Sequence, residues 1–122
     1  MKLNIRALLV CWLLMVTILS FDLITTIIGI EILGAYETNT FAAQLFNMGL
    51  LGYFVSIFVY ALLFLVILIM LGGIYKGLYQ GITKREMPMQ HEIIIYCLVA
   101  SCYLLFDVIT IAQNLIIIWS LI

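Results

Sequence analysis

Two aspartates interrupt apolar runs in this sequence of 122 residues, and they share their neighbours. Phe21-Asp22-Leu23-Ile24-Thr25 and Phe106-Asp107-Val108-Ile109-Thr110 are near-copies set 85 positions apart. A carboxylate is costly against hydrocarbon, so such a group faces protein, lines a wet cavity or takes a proton. Two of them brought close resist double ionisation and can hold one proton between them. That chemistry suits proton-coupled movement or the binding of a cation. A plainer use competes with it: protonated Asp22 and Asp107 hydrogen-bond to neighbouring helices and hold the fold together.

Helical spacing enlarges the group. Thr25 and Thr26 follow Asp22 by three and four residues, while Thr110 and Asn114 follow Asp107 by three and seven. Gln113 is more lateral. The candidate intramembrane polar or transport site comprises Asp22, Thr25, Thr26, Ser56, Tyr60, Asp107, Thr110 and Asn114. Glu31, Glu37 and Asn39 form a candidate outer mouth. Isolated threonines inside apolar helices more often bond their own helix carbonyls. Hard cations favour oxygen ligands of these kinds, but no compact ligand motif is present, so metal binding stays open with no ion identified, and no cofactor is predicted. No catalytic residue is predicted either. The single histidine, His91, excludes a three-histidine metal centre or two-histidine haem ligation within one chain. Cys11, Cys97 and Cys102 lack metal-site spacing and read as small apolar side chains.

The elements that must position these groups follow from composition. Hydrophobic residues make up 67% of the chain and charged residues 9%, with a mean hydropathy of +1.33. A water-soluble domain of this size cannot hide so much apolar surface. The expectation is an all-α integral membrane protein forming one domain, with three transmembrane helices over approximately 7–30, 50–71 and 93–119. Lys2 and Arg6 precede the first run in the manner of a signal peptide, but the run continues through Leu33 and is read as a retained helix. Phe41 to Asn47 suits either the first turns of the second helix or a short interfacial helix. Gly72 and Gly73 suit a flexible helix end, and Gly73, Gly77 and Gly81 a close-packing stripe. Pro88, in the polar stretch from Lys84 to Glu92, limits helical continuity.

Charge sets the expected orientation. Lys2 and Arg6 flank the first span, and Lys76, Lys84 and Arg85 lie between the second and third. The connection between the first two carries neither Lys nor Arg. The positive-inside rule puts the N-terminus and second loop in the cytoplasm and the C-terminus outside. Spans one and three then run in the same direction. Asp22 and Asp107 fall about 18–21 Å from the cytoplasmic edge, with Ser56 near the same level.

The Asp-Thr span, Asp22 with Thr25 or Thr26, precedes Glu37 and Asn39 in the first connection, and Asn114-Leu115 lies in the last span. This arrangement resembles an uncharacterised family of small multi-span prokaryotic membrane proteins with a Glu-x-Asn-Pro connection. The chain has Thr40 where that pattern favours Pro, and it lacks the Lys expected in the second span. The resemblance implies a small helical membrane protein of the prokaryotic plasma membrane, without a defined ligand. The layout of two parallel outer helices around a connecting helix also coarsely resembles three-span sugar-transporter halves. It lacks their Pro-Gln pair in the first span.

Function is expected to be that of a small structural or accessory subunit stabilised by intramembrane polar contacts. The alternative is a homo-oligomeric ion or small-solute transporter using Asp22 and Asp107. Expected partners are membrane lipids and either further copies of the chain or a larger integral membrane complex. Nucleic acid is excluded by a formal charge of −1 and the lack of a basic surface. Intrinsic catalysis is not expected, since neither a nucleophile nor a cofactor motif is legible.

Overall fold

The computed structural model describes residues 4–34 and 40–122, all in helices or the short turns joining them. Helix α1 spans Ile5–Ile27 and passes directly into a π-helical turn, Ile28–Ile32. The short α2 spans Thr40–Phe46, α3 spans Leu50–Thr83 and α4 spans Met89–Leu121. The first helix with its π turn, α3 and α4 are each long and apolar enough to cross a membrane. Phe54, Phe58, Leu105 and Phe106 are among the large apolar side chains left exposed on these helices. Such a surface belongs in hydrocarbon.

The apolar runs lie inside longer helices. At 34 residues α3 is about 51 Å long, well beyond the roughly 30 Å of hydrocarbon. It does not stop at Gly72 and Gly73. A side chain on Gly72 would come within 2.8 Å of the Tyr96 ring and hydroxyl, so the glycine allows α4 to pack closely there. Gly77 and Gly81 meet nothing nearby, so at those two positions the stripe mediates no packing among the described residues. The helix ends at Lys84, whose left-handed backbone (φ 56°) lets its N–H bond the Gln80 carbonyl. Pro88 then precedes α4, whose first turn contains Glu92.

The residues from Phe41 to Asn47 form most of a separate short helix and the turn after it. The approach is tight: a side chain on Gly52 would collide with the Leu45 carbonyl, so only glycine fits the approach of α2 to α3.

Helix α1 packs most extensively on α4, and the two run parallel in register. The Asn4 N–H bonds Glu92 at one end, and Asn114 bonds Asp22, Thr25 and Thr26 further along, with separations of 88 to 92 positions. The spacing of the two aspartate motifs is therefore close to the packing register of the helices that carry them. An apolar cluster of Leu8, Cys11, Met15, Phe64, Leu68, Tyr96 and Ala100 binds α1, α3 and α4 at one end. The Trp12 indole N–H donates to the Ala61 carbonyl there at 2.7 Å. A second cluster, Leu23, Phe46 and Tyr53, joins α1, α2 and α3 toward the other end. Asp22, Ser56, Asp107 and Asn114 are among the polar side chains that gather between α1, α3 and α4.

Candidate functional site: a carboxyl pair at a cavity

Asp22, Thr25, Thr26, Ser56, Tyr60, Asp107, Thr110 and Asn114 all line one cavity of about 830 Å³. It lies between α1, α3 and α4, with Phe46 of α2 contributing to its wall. In-register packing brings the two aspartate motifs together. Asp22 and Asp107 sit at matching positions of the two parallel helices, within hydrogen-bonding reach of each other. A hydrogen bond between two carboxyl groups needs a proton on one of them. Without it, two like charges face each other in a poorly solvated place.

The two acids have different surroundings. Asp22 is half-buried, and its Oδ1 accepts from Asn114 Nδ2 at 3.1 Å. The same amide nitrogen lies 3.1 Å from Thr25 Oγ1 and 3.3 Å from Thr26 Oγ1. Both threonine hydroxyls donate to the Asp22 carbonyl, at 2.8 and 2.9 Å. Each threonine thus closes a local helix bond and also accepts from α4. Thr110, the counterpart of Thr25 in the second motif, bonds the Phe106 carbonyl of its own helix at 3.2 Å. Asn114 is consequently the cross-brace between α1 and α4, and its donors are directed at the Asp22 side.

Asp107 is 4% exposed. The Tyr103 hydroxyl, one turn earlier on α4, is also within hydrogen-bonding reach of its carboxyl. Its Oδ2 nevertheless has no hydrogen-bond partner, the only such buried side-chain oxygen or nitrogen among the described residues. A buried acceptor without a donor costs about 1–3 kcal/mol relative to one that is satisfied.

The rest of the lining is mostly apolar and aromatic, including Phe46, Phe64, Tyr103 and Phe106. The Phe64 and Tyr103 rings pack with centroids 4.4 Å apart, bracing the Tyr103 hydroxyl beside Asp107. Among the described residues, no Lys, Arg or His contributes to the lining. Among the described residues, no group of three or more His, Cys, Asp and Glu side chains is arranged to hold a metal ion.

Glu31 is exposed in the π turn, where its carboxylate accepts from the Tyr53 hydroxyl, and it does not line the cavity. Glu37 and Asn39, the other residues of the expected mouth, lie outside the described residues. Cys11 is buried with its thiol toward Cys97, while Cys97 and Cys102 are exposed on α4, and all three are free thiols.

Two polar residues were not singled out by sequence reasoning. Tyr103 hides among apolar neighbours, and its only signal is a position four residues before Asp107, on the same helix face. Glu92 belongs to a polar stretch that reads as loop, yet it is 4% exposed. Its Oε1 accepts from the Asn4 backbone N–H at 2.7 Å and from the Tyr96 hydroxyl at 3.0 Å. It thereby ties α4 to the start of α1, where a carboxylate also meets the positive end of the helix dipole.

Comparison with known proteins gives no match: no protein family, no curated protein and no solved structure shows significant similarity to the chain.

Proposed function

We propose that this chain is a small integral membrane protein whose Asp22–Asp107 pair binds a cation or small solute within the membrane, as part of a transport cycle. One observation carries the reading: a buried carboxyl oxygen without a donor, on a residue that lines a cavity large enough for a small molecule. Membrane proteins retain such groups where they serve a ligand or proton pathway. The loop charges support an N-terminus in the cytoplasm and a C-terminus outside. A prokaryotic plasma membrane is the proposed location.

Flux into liposomes containing the purified chain tests this, using a panel of monovalent and divalent cations and small polar and apolar solutes. The reading expects at least one species to move in a saturable way, with Asp107→Asn reducing its flux at least about tenfold while the protein stays folded. Flux that is absent for the whole panel, or unchanged by Asp107→Asn, contradicts it.

A second reading rests on α4. Phe106, Ile116 and Trp119 remain exposed along it, so a neighbouring helix would find an apolar face beside the polar layer. Here the chain is an accessory subunit or a homo-oligomer, and its partner supplies the donor for Asp107. Native-membrane co-purification discriminates the readings, because Asp107→Leu would then disrupt a defined complex rather than a flux.

A further inference from the structure

We infer that the cavity between α1, α3 and α4 takes a hydrophobic amine in its protonated form, with the ammonium N–H on Asp107 and the apolar body against the aromatic wall. This rests on the reading of Asp107 as a ligand-binding group and names the class of ligand it would hold.

Charge gives the first restriction. Among the described residues, two carboxyl groups line the cavity and no Lys, Arg or His does. An anion placed there would meet negative charge and no cationic partner, so the complementary ligand is a cation.

Size and donor set give the second. A dehydrated hard cation needs about six oxygen ligands in a close shell. Here Asp22 Oδ1 and the Thr25 and Thr26 hydroxyl oxygens are already engaged by Asn114. A cavity of about 830 Å³ is also far larger than an ion. It falls in the range that houses drug-sized organic molecules, roughly 300–1,000 Å³.

The wall gives the third restriction. Phe46, Phe64 and Phe106, with the rings of Tyr60 and Tyr103, surround the acids, and Leu23 and Ile57 add aliphatic surface. An apolar body is buried favourably against such a wall, and aromatic faces attract a nearby cation. Phe106, which contributes to the lining, is also 70% exposed on α4. The cavity edge is therefore continuous with the apolar surface of the helix, and a hydrophobic amine dissolved in lipid can enter from there.

The orphan oxygen gives the fourth restriction, and the most selective one. Asp107 Oδ2 lacks a donor, so the cation must bring an N–H. A quaternary ammonium carries charge and can match the shape, but it has no proton to give. Primary, secondary and tertiary amines satisfy the acceptor, and the quaternary analogue leaves it orphaned.

Equilibrium dialysis on the purified full chain in detergent micelles tests the assignment with three probes: 2-(2-naphthyl)ethylamine, its N,N,N-trimethyl derivative and the corresponding alcohol. Micelles without protein correct for partitioning. The amine is expected to bind saturably, with the trimethyl derivative and the alcohol each at least about tenfold weaker. Asp107→Asn should weaken the amine by at least about tenfold and bring the three probes close together. A readout on the unmodified chain accompanies this. Labelling by a hydrophobic carbodiimide, located by mass spectrometry, should be slowed by the amine at Asp107.

Equal affinity for all three probes, or no saturable amine binding, overturns the inference. If Asp107-dependent flux of another cation or solute is then observed in liposomes, the amine assignment alone has failed. If no probe and no panel species depends on Asp107, the reading of Asp107 as a ligand group has failed with it.

Discussion

Glu92 and Asp107 lie on one stripe of α4, each is 4% exposed, and they have opposite surroundings. The Glu92 carboxylate accepts two hydrogen bonds, one from the backbone at the start of α1 and one from Tyr96 on its own helix. Tyr96 is itself completely buried beneath Gly72 of α3, so all three long helices converge on this acid. Asp107 also has a tyrosine one turn away and a partner on α1, but that partner is another acid and one Asp107 oxygen stays without a donor. One carboxyl has both its contacts supplied by the fold, and the other keeps a buried oxygen without a donor on a residue that lines a cavity. Burial alone therefore does not distinguish a structural acid from a candidate ligand group, whereas the supply of donors does. The same contrast appears within the pair, since Asn114 directs its amide to Asp22 and the threonines of α1.

If Glu92 is a structural tie, its removal has the largest effect. Glu92→Leu leaves the Asn4 N–H and the buried Tyr96 hydroxyl without their acceptor, and should cost about 2–3 kcal/mol of stability. Denaturant unfolding in detergent reads this, and a change below about 0.5 kcal/mol would remove the distinction between the two acids. Asn114→Leu comes next. It deletes the brace on the Asp22 side, and should cost about 1–2 kcal/mol, given the modest strength of individual interhelical hydrogen bonds in membranes. Unfolding midpoints that stay at the wild-type value would show that the Asp22 side is no better supported than Asp107. Tyr103→Phe is the mildest, at about 0.6 kcal/mol, because one donor is lost and the ring packing on Phe64 is kept. A loss as large as that of Glu92→Leu would make Asp107 a second structural tie.

Much of the closed framework was legible in the sequence. Three apolar runs of sufficient length dictate three long helices, because backbone groups in lipid must be satisfied within the segment. The repeated Asp motifs pointed to a shared polar layer, and the structure places them in register on parallel helices. Thr25 and Thr26 were recoverable from spacing alone. Helix ends were less legible. An apolar run marks where lipid can lie, but α3 outlasts its run by the turns from Gly72 to Thr83 because Tyr96 packs over Gly72 and a left-handed Lys84 closes the end. Glu92 was hidden by the same cause at the start of α4: charge there reads as loop, although an acid after Pro88 also suits the first turn of a helix. Nor does spacing reveal which neighbour a side chain chooses. Asn114 follows Asp107 by two turns, yet its amide bonds Asp22 on the facing helix. The orphaned oxygen depends on all of these choices together, so no local pattern announces it.

The central claim is that the fold leaves one Asp107 oxygen without a donor, so that its carboxyl is retained for a ligand and not for stability. The unfolding free energy of Asp107→Leu in a lipid-like detergent tests this most directly. The substitution removes the orphaned oxygen together with the acceptor of the Tyr103 hydroxyl, and its two methyl groups take the places of the two carboxyl oxygens. The account predicts a stability within about 1 kcal/mol of wild type, because losing the orphaned oxygen offsets losing the contacts to Tyr103 and Asp22. A loss of about 2 kcal/mol or more, comparable with that of Glu92→Leu, would contradict it and make both carboxyls parts of the same scaffold.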